Sequence, residues 1–271
     1  MAGFFGLFDY TKEGPGIRKD APKKKAIFVF FETFFRNFFK FISINVVYIL
    51  LSLPIVTHGM ASAGITNVAR NTARDKHSFG LSDFFETIRK NLKQSLVVGI
   101  INAAVAFLLI FTVRFYNDSY LQTKSIISLL GFGVSLSIIT CFAIMNFYIY
   151  TLMITFNFKI KELYKNSFKF VFVNFWKNLL CGIILLAVYA VYIVIALLIK
   201  DIRVLIIELI IAVLTLPAFR FLMVQFFTFG SIKKYIIDPY YKEHPDADIE
   251  KRRNLGLEVP EDDDEEPMSW E

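Results

Sequence analysis

Long stretches almost free of charge dominate the chain, at residues 41–57, 95–113, 125–158, 178–199 and 204–230. A helix needs about 20 mostly apolar residues to cross the hydrocarbon of a bilayer, and most of these runs meet that length comfortably. Run 41–57 is short unless Phe38 and Phe39 join it, and run 204–230 carries Glu208 and Arg220. The pattern predicts an all-α fold, a polytopic transmembrane helical bundle.

The approaches to the runs are mixed in character. Phe28, Phe30, Phe31, Phe34, Phe35, Phe38 and Phe39 crowd residues 26–40, interrupted by Glu32, Arg36, Asn37 and Lys40. Such a mixture suits a helix lying at the headgroup level and then turning into the bilayer. Related octets recur: Phe31-Glu32-Thr33-Phe34-Phe35-Arg36-Asn37-Phe38, Phe85-Glu86-Thr87-Ile88-Arg89-Lys90-Asn91-Leu92, and Phe172-Val173-Asn174-Phe175-Trp176-Lys177-Asn178-Leu179. The recurrence predicts three hairpins, each an interfacial amphipathic helix, a helix going out and a helix returning. Phe84, Phe85, Ile88 and Leu92 mark one such helix, with Ser82 as its N-cap.

The first run ends at Pro54, where an apolar helix must kink or stop. Gly59, Ala61, Ser62, Ala63 and Gly64 follow, small enough for helix backbones to approach closely. Gly64 is therefore expected to pack more tightly than Gly131. Beyond them Thr66, Asn67 and Arg70 are costly against lipid.

Charge distribution decides the topology. The net charge is +6, and basic residues gather before the first run, between residues 70 and 93, between 159 and 177, and at Lys233-Lys234. The positive-inside rule then places both termini and the 75–93 loop in the cytoplasm. Six spans satisfy it if residues 58–74 return as a short polar helix of about 25 Å. The competing reading has five spans, with residues 41–74 as one Pro54-kinked helix and the N-terminal arm outside. Residues 1–25 read as a basic cytoplasmic arm, 26–236 as the transmembrane domain, and 237–271 as an acidic cytoplasmic tail too charged to form a core. Residues 1–20 carry Gly14-Pro15-Gly16 and charges rather than the apolar core of a secretory signal. Asp238-Pro239 should stop the last helix near the surface. The basic residues line a membrane, so membrane lipids are expected as partners and nucleic acid is not.

Hydrophobic residues make up 55% of the chain, above the ~45–50% of ordinary domains. The sequence holds no phosphate-binding Gly-x-x-x-x-Gly-Lys loop, no nucleophile elbow and no paired histidine ligands among His58, His77 and His244. Cys141 and Cys181 lie in apolar runs and read as buried free thiols. No enzyme activity, cofactor or metal is expected. Glu208 and Arg220 stand twelve positions apart, ~18 Å along a straight helix, so they cannot pair. The expected places are the outer interface for Glu208 and the inner for Arg220, with Pro217 kinking the helix between.

Leu53-Pro54-Ile55-Val56-Thr57, then Gly59, Ala61, Ala63-Gly64, Arg70-Asn71 and Arg74, resemble the YesL family, also called the domain of unknown function 624 family. Phe79, Ser82-Asp83-Phe84-Phe85 and Lys90-Asn91-Leu92-Lys93-Gln94-Ser95 extend the likeness. Gly14-Pro15-Gly16 and Tyr235-Ile236-Ile237-Asp238-Pro239-Tyr240-Tyr241 look like members from low-GC Gram-positive bacteria, so the similarity runs along nearly the whole chain. Genes of the family often sit beside carbohydrate ABC transporters and glycoside-degrading enzymes. The resemblance implies an accessory or regulatory role in sugar uptake, with a carbohydrate ABC transporter or another membrane protein as partner. Pro54, Thr57, Asn67, Arg70 and Arg74, with Asp83 and Lys90 beside them, are the residues expected to carry it. A small secondary transporter or channel, with broken helices lining a midplane site, is the alternative.

Overall fold

The computed structural model describes residues 26–76, 78–199 and 201–244, and every regular element among them is helical. The expected basic arm, His77 and tail residues 245–271 lie outside the described residues.

Three consecutive units share one plan. In the first, α1 (Ala26–Arg36) gives way to α2 (Phe38–Ser52), and α3 (His58–Ala73) returns. The second consists of α4 (Leu81–Thr123) and α5 (Ile126–Thr155). The third comprises α6 (Ile160–Val173), α7 (Phe175–Leu198) and α8 (Ile202–Ile232), continued by a π-helical turn (Lys233–Ile237) and α9 (Asp238–Glu243).

Each unit breaks at an asparagine. Asn37 (φ −106°, ψ 17°), Asn91 (φ −114°, ψ 17°) and Asn174 (φ −115°, ψ 30°) adopt nearly the same non-helical conformation. The side-chain amides of Asn37 and Asn91 donate back to the Thr33 and Thr87 carbonyls, at 2.9 and 3.1 Å. Asparagine suits this position because its short polar side chain competes with the backbone for helix carbonyls. The recurring octets align Asn178 with Asn37 and Asn91, but the third break falls one turn earlier, at Asn174. Asn178 braces that break from the far side, donating to the Phe170 and Val171 carbonyls at 2.9 and 3.2 Å. Helices α1 and α2 are bent by 73° at their break, the geometry of a surface helix turning into a bilayer.

Among the described residues four helices are long and apolar enough to cross a membrane, and the bent α1–α2 pair makes a fifth. The fold is thus an all-α membrane bundle, as expected, with four to five such helices. Helix α3 falls outside that set, yet it is the hub: ten of its 16 residues are buried, and it packs on α2, α4, α5 and α8. Its small residues explain this. A Cβ on Gly59 would fall 2.2 Å from the Ser95 carbonyl oxygen and 2.6 Å from Gly99 Cα, so only glycine lets α3 and α4 meet there. Gly64 lies under Phe84, where a Cβ would come within 2.7 Å of the ring. Gly131 is no more open, since its Cβ would lie 2.4 Å from the Tyr116 ring.

The phenylalanines of α1 divide between two faces. Phe30 and Phe34 are buried and meet Phe219 of α8 edge-on, with centroids 5.2 and 5.5 Å apart, whereas Phe28, Phe31 and Phe35 stay exposed. Helix α8 runs through Pro217. Nearby, the Asn45 amide of α2 donates to the Leu214 carbonyl at 2.6 Å and ties α2 to α8.

Two helix ends differ from the sequence expectation. Helix α4 starts at Leu81, not after Ser82, because Gly80 adopts φ 63° and makes the turn. The Asp83 carboxylate then accepts the Phe79 N–H at 3.2 Å. At the other end, Asp238 stays right-handed helical before Pro239 (φ −61°, ψ −43°) and the chain coils on to Glu243, past the expected boundary at 236. The preceding π-helical turn widens the ladder where proline lacks its N–H.

Candidate functional site

A cleft of about 810 Å³ lies between the three units. The first contributes Ser52, Ile55 and His58, the second Asn102, Asn146 and Tyr150, and the third Asn178, Tyr189 and Arg220. Helices α5 and α7 both line it; α7 packs on α8 and α6 and meets α5 through the Tyr148–Asn178 hydrogen bond. Leu179, Ile183 and Leu186 carry the α7 wall to the exposed surface of the bundle.

Polar side chains inside the cleft are locked by one another. Tyr164 of α6 donates its hydroxyl to Asn102 Oδ1 at 2.7 Å. The Asn102 amide donates to Asn146 Oδ1 at 2.9 Å and to the Tyr150 hydroxyl at 3.3 Å. Deeper, Tyr148 stacks on Phe170 with centroids 4.9 Å apart and donates to Asn178 Oδ1 at 2.6 Å. Such chains fix side-chain positions because each lost bond would strand a buried polar group.

Arg220 is the charge of the site. No aspartate or glutamate lines the cleft, and no ion pair among the described residues includes Arg220. Its guanidinium lies 5.2 Å from the Phe221 ring centroid. Arg220 shares the cleft with His58, which opens α3. Straight-helix counting fixes Arg220's depth only relative to Glu208, and the packing of α8 against α3 decides where it points. Glu208 is not its partner, and Glu208 Oε1 is buried and meets no donor among the described residues. His58 Nε2 lies 3.5 Å from Ser62 Oγ, and its ring is 6.0 Å from that of Tyr48.

The other expected site residues fall into separate places. Pro54 is exposed and ends α2, while the Thr57 hydroxyl closes that turn on the Leu51 and Pro54 carbonyls. Gly59 and Gly64 are packing positions, as described above. Asn67 donates to Thr87 Oγ1 at 2.7 Å and accepts from Arg70 at 2.7 Å, and Arg70 donates to Thr155 Oγ1 at 2.7 Å. Helices α3, α4 and α5 are thereby tied together. Arg74 stacks over Phe229, 3.5 Å from its centroid. Asp83 is spent on the Phe79 turn, and Lys90 pairs with Glu86 at 2.6 Å on the exposed face of α4. The structure joins Arg70 with Arg74 and leaves Asp83 and Lys90 with local contacts of their own. Burial pushes the Lys76 ammonium below its usual range, and the charges of Arg74 and Arg70 push it further.

Asn102, Asn146 and Tyr150 escaped the sequence reading. Their signal was present: an asparagine inside a membrane-length apolar run is expensive against lipid and so belongs against protein or a cavity. Cys141 and Cys181 are free thiols. The described residues contain no group of three or more His, Cys, Asp or Glu that could hold a metal ion. The site can bind and orient a ligand through one guanidinium and a ring of amides and phenols.

Comparison with known proteins gives a single result, since no curated protein and no solved structure matches the chain. Residues 41–113, which span α2, the Pro54 turn, α3 and much of α4, match the family model described as "Protein of unknown function, DUF624" and support that family for this chain.

Proposed function

We propose that the chain is a non-enzymatic ligand-binding protein of the cell membrane, acting as an accessory or regulatory component of carbohydrate uptake. The unopposed Arg220 in the central cleft carries this reading. A cationic side chain at membrane depth costs at least ~2.5 kcal/mol, and a ligand rich in oxygen acceptors would offset that cost. Asn102, Asn146, Tyr150 and Tyr189 add the directional donors and acceptors that a polyhydroxylated molecule engages. The link to sugar uptake rests on the resemblance to the YesL family, and with it a Gram-positive setting.

In this reading the chain crosses the membrane six times, with α3 sheltered inside the bundle. Both termini lie in the cytoplasm, in keeping with Arg36, Lys76, Lys161 and Lys233 at the bends and turns of the three units. Membrane lipids surround it, and its protein partner is a carbohydrate ABC transporter or another membrane protein.

Wild type and Arg220→Gln, purified in mild detergent from sugar-grown cells, test the proposal by identification of the co-purifying proteins. Membrane transport subunits should accompany the wild type, and their recovery should respond to sugar only when Arg220 is present. Recovery of no transport protein with either form would overturn the accessory role. A second reading, a small secondary transporter, is favoured by the position of the cleft at the junction of all three units. Purified protein that alone moves a sugar or ion across liposomes would establish the transporter and displace the accessory role.

A further inference from the structure

A second cavity, of about 290 Å³, lies between the C-terminal end of α3 and α8. Arg70, Arg74, Gln225, Phe226 and Phe229 line it, and no carboxylate does. The arginines are one helical turn apart, so their like charges face the same side of α3, an arrangement that destabilises a helix unless something neutralises it. A helix C-terminus favours cations, which accounts for the charges being there but not for their hydrogen bonding.

That hydrogen bonding is incomplete in one direction only. Arg70 uses both terminal nitrogens, on Thr155, the Ile154 carbonyl and Asn67, yet its Nε–H is buried and meets no acceptor among the described residues. Arg74 lies flat on Phe229, and its buried Nε and Nη2 likewise meet none. Side-chain N–H groups from two adjacent guanidiniums therefore lack acceptors beside one cavity. Stacking on an aromatic ring while the planar edge stays available is how arginine presents its fork to an oxyanion. Gln225 completes the set from α8: its amide donates to Thr151 at 2.8 Å, leaving a buried Oε1 that meets no donor among the described residues.

We propose that Arg70, Arg74 and Gln225 form a binding site for a phosphate group that carries a hydroxyl donor. The phosphate oxygens accept from the guanidiniums, and the hydroxyl donates to Gln225 Oε1. Monohydrogen phosphate, a soluble phosphate monoester and the glycerol-phosphate headgroup of a lipid share this chemistry. Neither the central cleft nor the role in uptake enters the argument.

The test uses the full chain in nanodiscs of phosphatidylcholine alone or with phosphatidylglycerol. Thermal midpoints are read against inorganic phosphate, with chloride at matched ionic strength, and retained lipid is identified by native mass spectrometry. A saturable rise of the midpoint with phosphate in phosphatidylcholine marks a soluble ligand. Selective retention of phosphatidylglycerol without a phosphate response marks the lipid. Arg74→Gln should weaken whichever response is seen by at least about tenfold, and Arg74→Lys, which keeps the charge but not the fork, should fall between. Without phosphate or anionic lipid, Arg74→Gln should move the midpoint little, because it gives up the stacking on Phe229 but relieves the repulsion from Arg70 and loses no hydrogen bond among the described residues. If Arg74→Gln does not fold, the Arg74→Lys response alone decides. Absence of both responses in the wild type, or variants that respond like it, would overturn the site.

Discussion

Helices α3 and α7 invert the familiar arrangement of a soluble protein. Helix α3 holds four Ala and two each of Gly, Thr and Asn, with Ser62 and Arg70, and ten of its 16 residues are buried. Helix α7 is almost wholly apolar, and only Asn178, Cys181 and Leu185 of its 24 residues are buried. In a bilayer, apolar side chains gain little by leaving lipid, so burial goes to residues that pack closely or hydrogen-bond. The difference teaches that polarity and small size, not hydrophobicity, locate the core of this bundle.

The largest test of that contrast exchanges a glycine in each helix. Gly59→Leu forces a side chain into the Ser95 carbonyl and Gly99, and overpacking costs ~1–3 kcal/mol even where side chains can yield. Against backbone the expected outcome is no monodisperse protein on detergent size exclusion. In α7, Gly182 has nothing within 4 Å of a built Cβ, so Gly182→Leu should keep the wild-type melting midpoint. Equal behaviour of the two variants would end the comparison.

A smaller effect probes Asn178, the buried polar anchor at the start of α7. Asn178→Leu removes the acceptor of the Tyr148 hydroxyl and the donor to two α6 carbonyls, which should cost ~1–3 kcal/mol. Chemical unfolding in mixed micelles reads this directly. A neutral result would mean that α7 is held by its packing on α8 and by lipid rather than by this amide. The smallest effect belongs to the outer face: Leu197, 77% exposed, should tolerate Leu197→Ala within ~0.5 kcal/mol. A larger loss would reveal that this face is covered.

The helical class, the recurrence of three similar units and the small-residue hub around Gly59 were legible because each is written in local pattern. The breaks at Asn37, Asn91 and Asn174 were not legible: the octets showed a recurring asparagine, but which amide interrupts its helix depends on packing, and Asn178 carries a similar amide to a different task. The central cleft was not legible. Arg220 and His58 come from distant parts of the chain, and only the packing of α8 on α3 brings them together. Gly131 misled in the opposite way, since its run gave no hint that Tyr116 covers it. The Arg70–Arg74 pair was visible as charge, but whether their N–H groups meet acceptors depends on Thr155, Phe229 and Gln225, all far along the chain.

The burial of α3 also bears on how the protein is made. A ribosome delivers α3 before α4, α5 and α8 exist, yet those helices supply its surroundings: Thr87, Ser95 and Gly99 from α4, Thr155 from α5, Phe229 from α8. Alone, a segment bearing Asn67 and Arg70 has no reason to leave water for lipid. Its final position must therefore be reached late, after later-synthesised segments have entered the membrane. Assembly of this chain then runs out of sequence order, with α3 reaching its packed position only when its later-made neighbours can receive it.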